Sequence, residues 1–157
     1  MNKFVIAAAS GLLAILAAPT ALAQAAQPVE LKGDVKVDKL VVENGKEKHV
    51  FVDPTVVVPG DKLVFSTTYR NAGSEAVKNF VVTNPIPAGV ALAPLGADKL
   101  EVSVDGGKTW GRLAALTVAE TAGSRAAQAG DVTHVRWILP VLAPGASGTL
   151  TYNALVR

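Results

Sequence analysis

Apolar and polar positions alternate in short runs along most of this chain, and Pro, Gly, Asn and Asp interrupt the runs. Val29, Leu31, Val35 and Val37 share one parity, as a half-buried strand requires. The parity changes at Leu40 and Val42, which predicts a bulge or corner near Asp38-Lys39. Asn44-Gly45 comes next. Both residues accept positive φ, so they predict a two-residue hairpin returning into residues 48–52. Asp53-Pro54 stops that strand, because proline has no N–H to give a ladder. Residues 55–58 form a further β-branched run, closed by Pro59-Gly60.

Two central strands follow. Leu63, Phe65, Thr67 and Tyr69 alternate with Val64, Ser66, Thr68 and Arg70, and the first set is expected to face the core. Asn71-Ala72-Gly73-Ser74 predicts a turn with Gly73 at positive φ. The next strand places Phe80 and Val82 inward and Asn79, Val81 and Thr83 outward. Asn84-Pro85-Ile86-Pro87 gives it an extended exit, because a residue before proline avoids the helical basin.

Later in the chain, Leu100, Val102 and Val104 predict a short strand, Asp105-Gly106-Gly107 its turn, and Thr109-Trp110 the return. Residues 113–129 are Ala-rich and lack a clear period, which predicts a loop. Val135, Trp137 and Leu139 alternate with His134, Arg136 and Ile138 until Pro140, expected to end the strand. A Pro144–Gly148 turn leads into a last strand with Leu150, Tyr152, Ala154 and Val156 on one side. About eight or nine short strands, with turn signals every 8–12 residues or so, predict an all-β, immunoglobulin-like β-sandwich. No amphipathic helix competes and no segment recurs, so a repeat array within the chain is not expected.

Composition changes the picture at the N-terminus. Half of the 157 residues are hydrophobic, but part of that excess is one run, Phe4 to Ala18, behind Lys3 and ahead of Ala21-Leu22-Ala23. A charged start, an apolar stretch and small residues at the cleavage positions describe a secretory signal peptide over residues 1–23. Residues 24–28 would then be a flexible lead-in and 29–157 a single domain, exported to the periplasm or beyond the cell, with no integral membrane segment after cleavage. Removing Lys3 brings the formal net charge of +2 to about +1, so no electrostatic case for nucleic acid remains. There are no cysteines, which excludes a disulfide scaffold, a thiol catalyst and a lipidated cysteine anchor.

Candidate chemistry is sparse. Ser103-Val104-Asp105-Gly106-Gly107-Lys108-Thr109-Trp110 resembles the Asp-box of sialidase-like propellers, in which an aspartate caps a hairpin turn and a tryptophan packs behind it. It occurs once in a chain too short for several blades, so a hairpin device is expected rather than a propeller. Trp110 nevertheless offers a stacking face for a sugar. His49 and His134 lie on separate strands without further ligands at zinc spacing. His134 and Arg136 share an outward face, where a solvated edge or a pairing with Asp131 is expected. Calcium is the one cofactor left open, through turn aspartates Asp34, Asp38, Asp53, Asp61 and Asp105, although none sits in a dense acidic loop. Ser147 has glycines at the wrong spacing for a serine elbow. No pair among Glu43, Glu47, Glu75, Glu101 and Glu120 stands out as catalytic. The candidate ligand contacts are therefore Trp110, Asp105, His134 and Arg136, with no catalytic residue.

Several of these segments together point to a family. Pro59-Gly60-Asp61, the strand ending in Asn71-Ala72-Gly73, the Phe80-to-Pro87 run, Asp105-Gly106-Gly107, Trp137 and Pro144-Gly145-Ala146-Ser147-Gly148-Thr149 resemble the bacterial DUF11 domain over residues 56–157. The family usually has aspartate where this chain has Asn84, which removes the charge an acidic metal ligand would need there. The resemblance implies an exported β-sandwich module without general enzymatic activity. Its expected role is structural, or the binding of a protein or cell-envelope component, through residues 93–99 and 117–131 or an open strand edge. The alternative is a carbohydrate-binding module using the hairpin 103–110.

Overall fold

The computed structural model describes residues 28–94 and 96–157. The expected signal peptide, and the lead-in up to residue 27, lie outside the described residues. The rest is an all-β sandwich of two antiparallel sheets. The strands are β1 (Val29–Glu43), β2 (Lys46–Val52), β3 (Lys62–Asn71), β4 (Val77–Pro85), β5 (Val90–Leu92), β6 (Glu101–Ser103), β7 (Thr117–Glu120), β8 (Gly123–Ala126), β9 (His134–Leu142) and β10 (Ser147–Val156). One sheet has the order β2-β1-β3-β10-β5 and the other β4-β9-β6, while β7 and β8 form a separate hairpin.

The core lies between the sheets. Val37, Leu63, Leu92, Tyr152 and Ala154 from the larger sheet pack with Val102 and Val135 from the smaller one. Each fully buried Val or Leu contributes about 1.5–3 kcal/mol of transfer free energy. Phe65 and Tyr152 stack with centroids 4.8 Å apart and planes within 2°, and Trp137 lies 6.3 Å from Tyr152. Burial pushes the Tyr152 phenol up to about 12. The inward set predicted for β3 is the observed one: Leu63 and Thr67 are buried, and Phe65 and Tyr69 half-buried.

Several expectations change. No bulge interrupts β1. Its register runs without a break from Val29↔Asn71 to Asp38↔Lys62 against β3, and from Val37↔Val52 to Glu43↔Lys46 against β2. The parity change has another cause: β1 outruns β3 after Asp38, so residues 39–43 and their β2 partners project as a two-stranded arm. Leu40 and Val42 are left on its exposed outer face. Asn44 and Gly45 close this arm at φ 54° and 75°, as predicted. Residues 55–58 form no strand, because they have no neighbour to pair with.

Gly73 is not at positive φ. It is small because a Cβ there would come 2.9 Å from the Pro28 side chain. The turn after β3 is instead held by Asn71, which is fully buried. Its Nδ2 donates to the Glu75 and Leu142 carbonyls at 2.8 and 2.9 Å, and its Oδ1 accepts from the Gly73 N–H at 3.0 Å. This turn carries the chain from one sheet to the other. Pro140 does not end β9, which continues to Leu142.

The stretch expected to be a loop is ordered. It holds a 3₁₀ turn at Leu113–Ala115, the β7–β8 hairpin, and another 3₁₀ turn at Ala129–Asp131. Arg125 ties the hairpin to the second of these turns with bonds of 2.6 and 2.7 Å to Asp131 and 2.6 Å to Glu120. Its alternation was too short and too Ala-rich to read. Asp131 is thus paired with Arg125, and not with His134.

Candidate functional site

The hairpin after β6 builds one side of the site. Val102 and Gly111 exchange backbone hydrogen bonds of 2.8 and 3.0 Å, with Gly106 and Gly107 at φ 79° and 88° in the turn between them. Asp105 caps this turn. Its Oδ1 accepts from the Lys108 and Thr109 N–H groups (3.0 and 2.9 Å) and from Ser103 Oγ (2.7 Å). Its Oδ2 accepts from Thr109 Oγ1 at 2.7 Å. The Thr109 N–H, then the Thr109 and Ser103 hydroxyls, hold its carboxyl far below the usual carboxylate range. Buried Ser103 accepts from the Gly107 N–H at 2.9 Å, and Trp110 Nε1 donates to the Gly107 carbonyl at 2.9 Å. Asp105 is therefore committed to the hairpin, the structural role expected of an Asp-box.

The other side is strand β9. Its register places Arg136 opposite Glu101, and His134 opposite Ser103. Arg136 Nε donates to Glu101 Oε2 at 2.7 Å, and its guanidinium carbon lies 4.4 Å from the Trp110 ring centroid. The His134 ring meets Trp110 edge-on, with centroids 6.3 Å apart and planes at 70°. The His134 Nδ1 lies 3.0 Å from Thr133 Oγ1. Three of the four candidate contacts, Trp110, His134 and Arg136, thus form one cluster, while Asp105 sits within the turn. One face of Trp110 is already covered by a guanidinium.

Beside this cluster runs a shallow groove of about 420 Å³, lined by Lys99, Glu101, Arg112, Arg136, Trp137 and Ile138. Glu101 is held below its usual range by the hydrogen bond from Arg136, with the Arg112 charge adding to it. Lys99 and Arg112 were not among the sequence candidates. Lys99 ends the 3₁₀ turn at Ala97–Lys99 and Arg112 precedes the one at Leu113–Ala115, and both line the groove with Arg136. Arg112 also borders an apolar pocket of about 460 Å³ walled by Pro94, Ala97, Leu113 and Ala129. The two connections expected to bind a partner, residues 93–99 and 117–131, both border this pocket, through Pro94, Ala97 and Asp98 and through Ala127 and Ala129. The Arg125 ion pairs to Glu120 and Asp131 lie within the second of them.

No family model matches the chain, and no curated protein or solved structure is similar to it at a significant level. Among the described residues, no three His, Asp or Glu side chains converge as metal ligands, and no helix is long and apolar enough to cross a membrane. Most of the aspartates considered for calcium have partners of their own. Asp53 and Asp34 face Lys36, Asp38 lies 2.6 Å from His49, and Asp61 accepts from the Val58 N–H at 2.9 Å.

A further surface lies at the far end of the larger sheet. Leu40, Val41 and Val42 on the β1–β2 arm, Phe51 at its base, and Val56, Val57 and Val58 in the segment after β2 are all exposed, Val42 by 71% and Val56 by 77%. Sequence parity placed Leu40 and Val42 on a strand but gave no sign that the strand leaves the core.

Proposed function

We propose that this chain is an exported, non-enzymatic β-sandwich module, similar to a single-copy DUF11 domain, that docks on a protein or another component of the cell envelope. The observation that carries this reading is the exposed apolar surface of the β1–β2 arm and the loop after it. Seven large apolar side chains within residues 40–58 face solvent, Val41 among them, and exposed apolar surface of this kind marks an interaction surface. Lys46 and Lys48 on the outer strand β2 oppose edge-to-edge pairing of copies, which favours contact through the side-chain face. The N-terminal signal pattern supports export.

The test is site-specific crosslinking in cells that export the protein. A photoreactive residue at Val42 should give a discrete adduct, whereas one at Thr149, exposed on β10, should not. Leu40→Glu should remove the adduct without changing the unfolding temperature. Equal adducts from both positions, or none, would remove the support for docking through the arm. The carbohydrate-binding alternative rested on an open Trp110 face. Arg136 covers one face of that ring, so the alternative has less support than the arm gives to docking.

A further inference from the structure

We propose that the groove between β6, β9 and the Leu113–Ala115 turn binds an oxyanion, a carboxylate or phosphate group, with Arg136 as the central donor and Lys99 and Arg112 flanking it. This goes beyond the docking role of the arm and does not depend on it. Three cations line the groove against one carboxylate, Glu101, so it carries an excess of two positive charges.

Arg136 is fixed in place from two sides. Glu101 takes its Nε–H at 2.7 Å, and its guanidinium carbon lies over the Trp110 ring, 4.4 Å from the centroid. The terminal Nη1 and Nη2 groups have no acceptor among the described residues, and neither does Lys99 Nζ. A guanidinium whose Nε side is occupied presents its two Nη groups as a fork, the geometry that matches two oxygens of a carboxylate or phosphate. Arg112 has one Nη bond, to the Asp98 carbonyl at 3.1 Å, which holds its charge at the rim of the groove. Its charge also acts on Glu101. Glu101 therefore both orients the central donor and leaves the flanking charges unneutralised.

Both tryptophans of the chain touch this site, Trp110 through Arg136 and Trp137 as part of the lining. Intrinsic fluorescence of the purified protein therefore reports on it directly. Titration with inorganic phosphate and, separately, with glucuronate should give a saturable change, while sodium chloride at equal ionic strength and neutral glucose should not. The stronger of the two arms identifies whether phosphate or carboxylate is the preferred group. Lys99→Gln, at an exposed position, should weaken binding about two- to fivefold, the loss of one flanking charge. Arg136→Lys keeps the charge but loses the fork, and should weaken it more than tenfold. No saturable change with either anion, a change reproduced by chloride, or full affinity in Lys99→Gln and Arg136→Lys would overturn the proposal.

Discussion

Asn79 and Pro140 stand opposite one another in the smaller sheet, and both their strands change the side they turn to the core at that rung. The ladder passes from Lys78↔Val141 to Phe80↔Leu139 without pairing the two residues between. On β4 the inward positions are Asn84, Val82 and Phe80, and beyond Asn79 the next is Val77. On β9 they are Val135, Trp137 and Leu139, and beyond Pro140 the next is Leu142. Proline cannot donate to the ladder, and Asn79 takes a left-handed φ of 50°. The two irregularities fall on one rung and keep the register on both sides. Asn79→Gly should leave stability nearly unchanged, because glycine adopts this conformation without strain. Asn79→Val should lower it by about 1–2 kcal/mol, the cost of a β-branched residue in that region. Urea unfolding of the two variants checks this, and equal effects would mean that φ is not the constraint.

Gly148 lies across the strand from Tyr69, whose ring covers it. A Cβ at Gly148 would come 2.7 Å from Tyr69 Cζ. Gly148→Ala should therefore cost about 1–3 kcal/mol through overpacking. The same change in a Tyr69→Ala background should cost much less. A double-mutant cycle measures the difference, and additive effects would show that the ring is free to move aside.

The local signals were legible because their causes are local. Asn44-Gly45 fixes its hairpin through positive φ, and Asp105 caps its turn through N–H groups three and four residues ahead. What was hidden depended on partners distant in sequence. Residues 55–58 have strand composition but no neighbour, while Thr117–Ala126 has weak composition and gains a hairpin secured by Arg125 and Asp131. At the site, parity put His134 and Arg136 on one face. That Trp110 covers Arg136, and that Lys99 and Arg112 join them, follows from the register of β6 against β9 and the docking of two 3₁₀ turns.

Asn71 read as a turn-former and proves to be a buried tie between the sheets. Its amide donates to two carbonyls, one of them 71 positions away. Asn71→Asp would place a carboxylate against those two oxygens and remove both donors. The expected cost is on the order of 3 kcal/mol at neutral pH, from unsatisfied and mutually repelling acceptors. It should be smaller at pH 3, where the acid is protonated and can donate once. A loss that does not depend on pH would point to shape, and not to the missing donors.

Acid should unfold this protein through three carboxylates. Asp105 is held far below its ordinary 3.8, Asp131 is lowered to about 2 by Arg125 and the Gln128 N–H, and Glu101 lies below its ordinary 4.5. In each case the folded state binds its proton less readily than the unfolded chain. The stabilisation is complete above the unfolded values and is lost as pH falls through the folded ones. Urea midpoints should thus be level between about pH 7 and 5 and decline from about pH 4.5 toward 2. Asp105→Asn should be less stable at neutral pH, because the Thr109 and Lys108 N–H groups and two hydroxyls lose an ionised acceptor. Its acid decline should also be shallower, with one depressed carboxyl fewer to protonate. A variant as steeply acid-sensitive as the parent would show that the Asp105 hairpin opens independently of the sandwich, and that the decline comes from Asp131 and Glu101 alone.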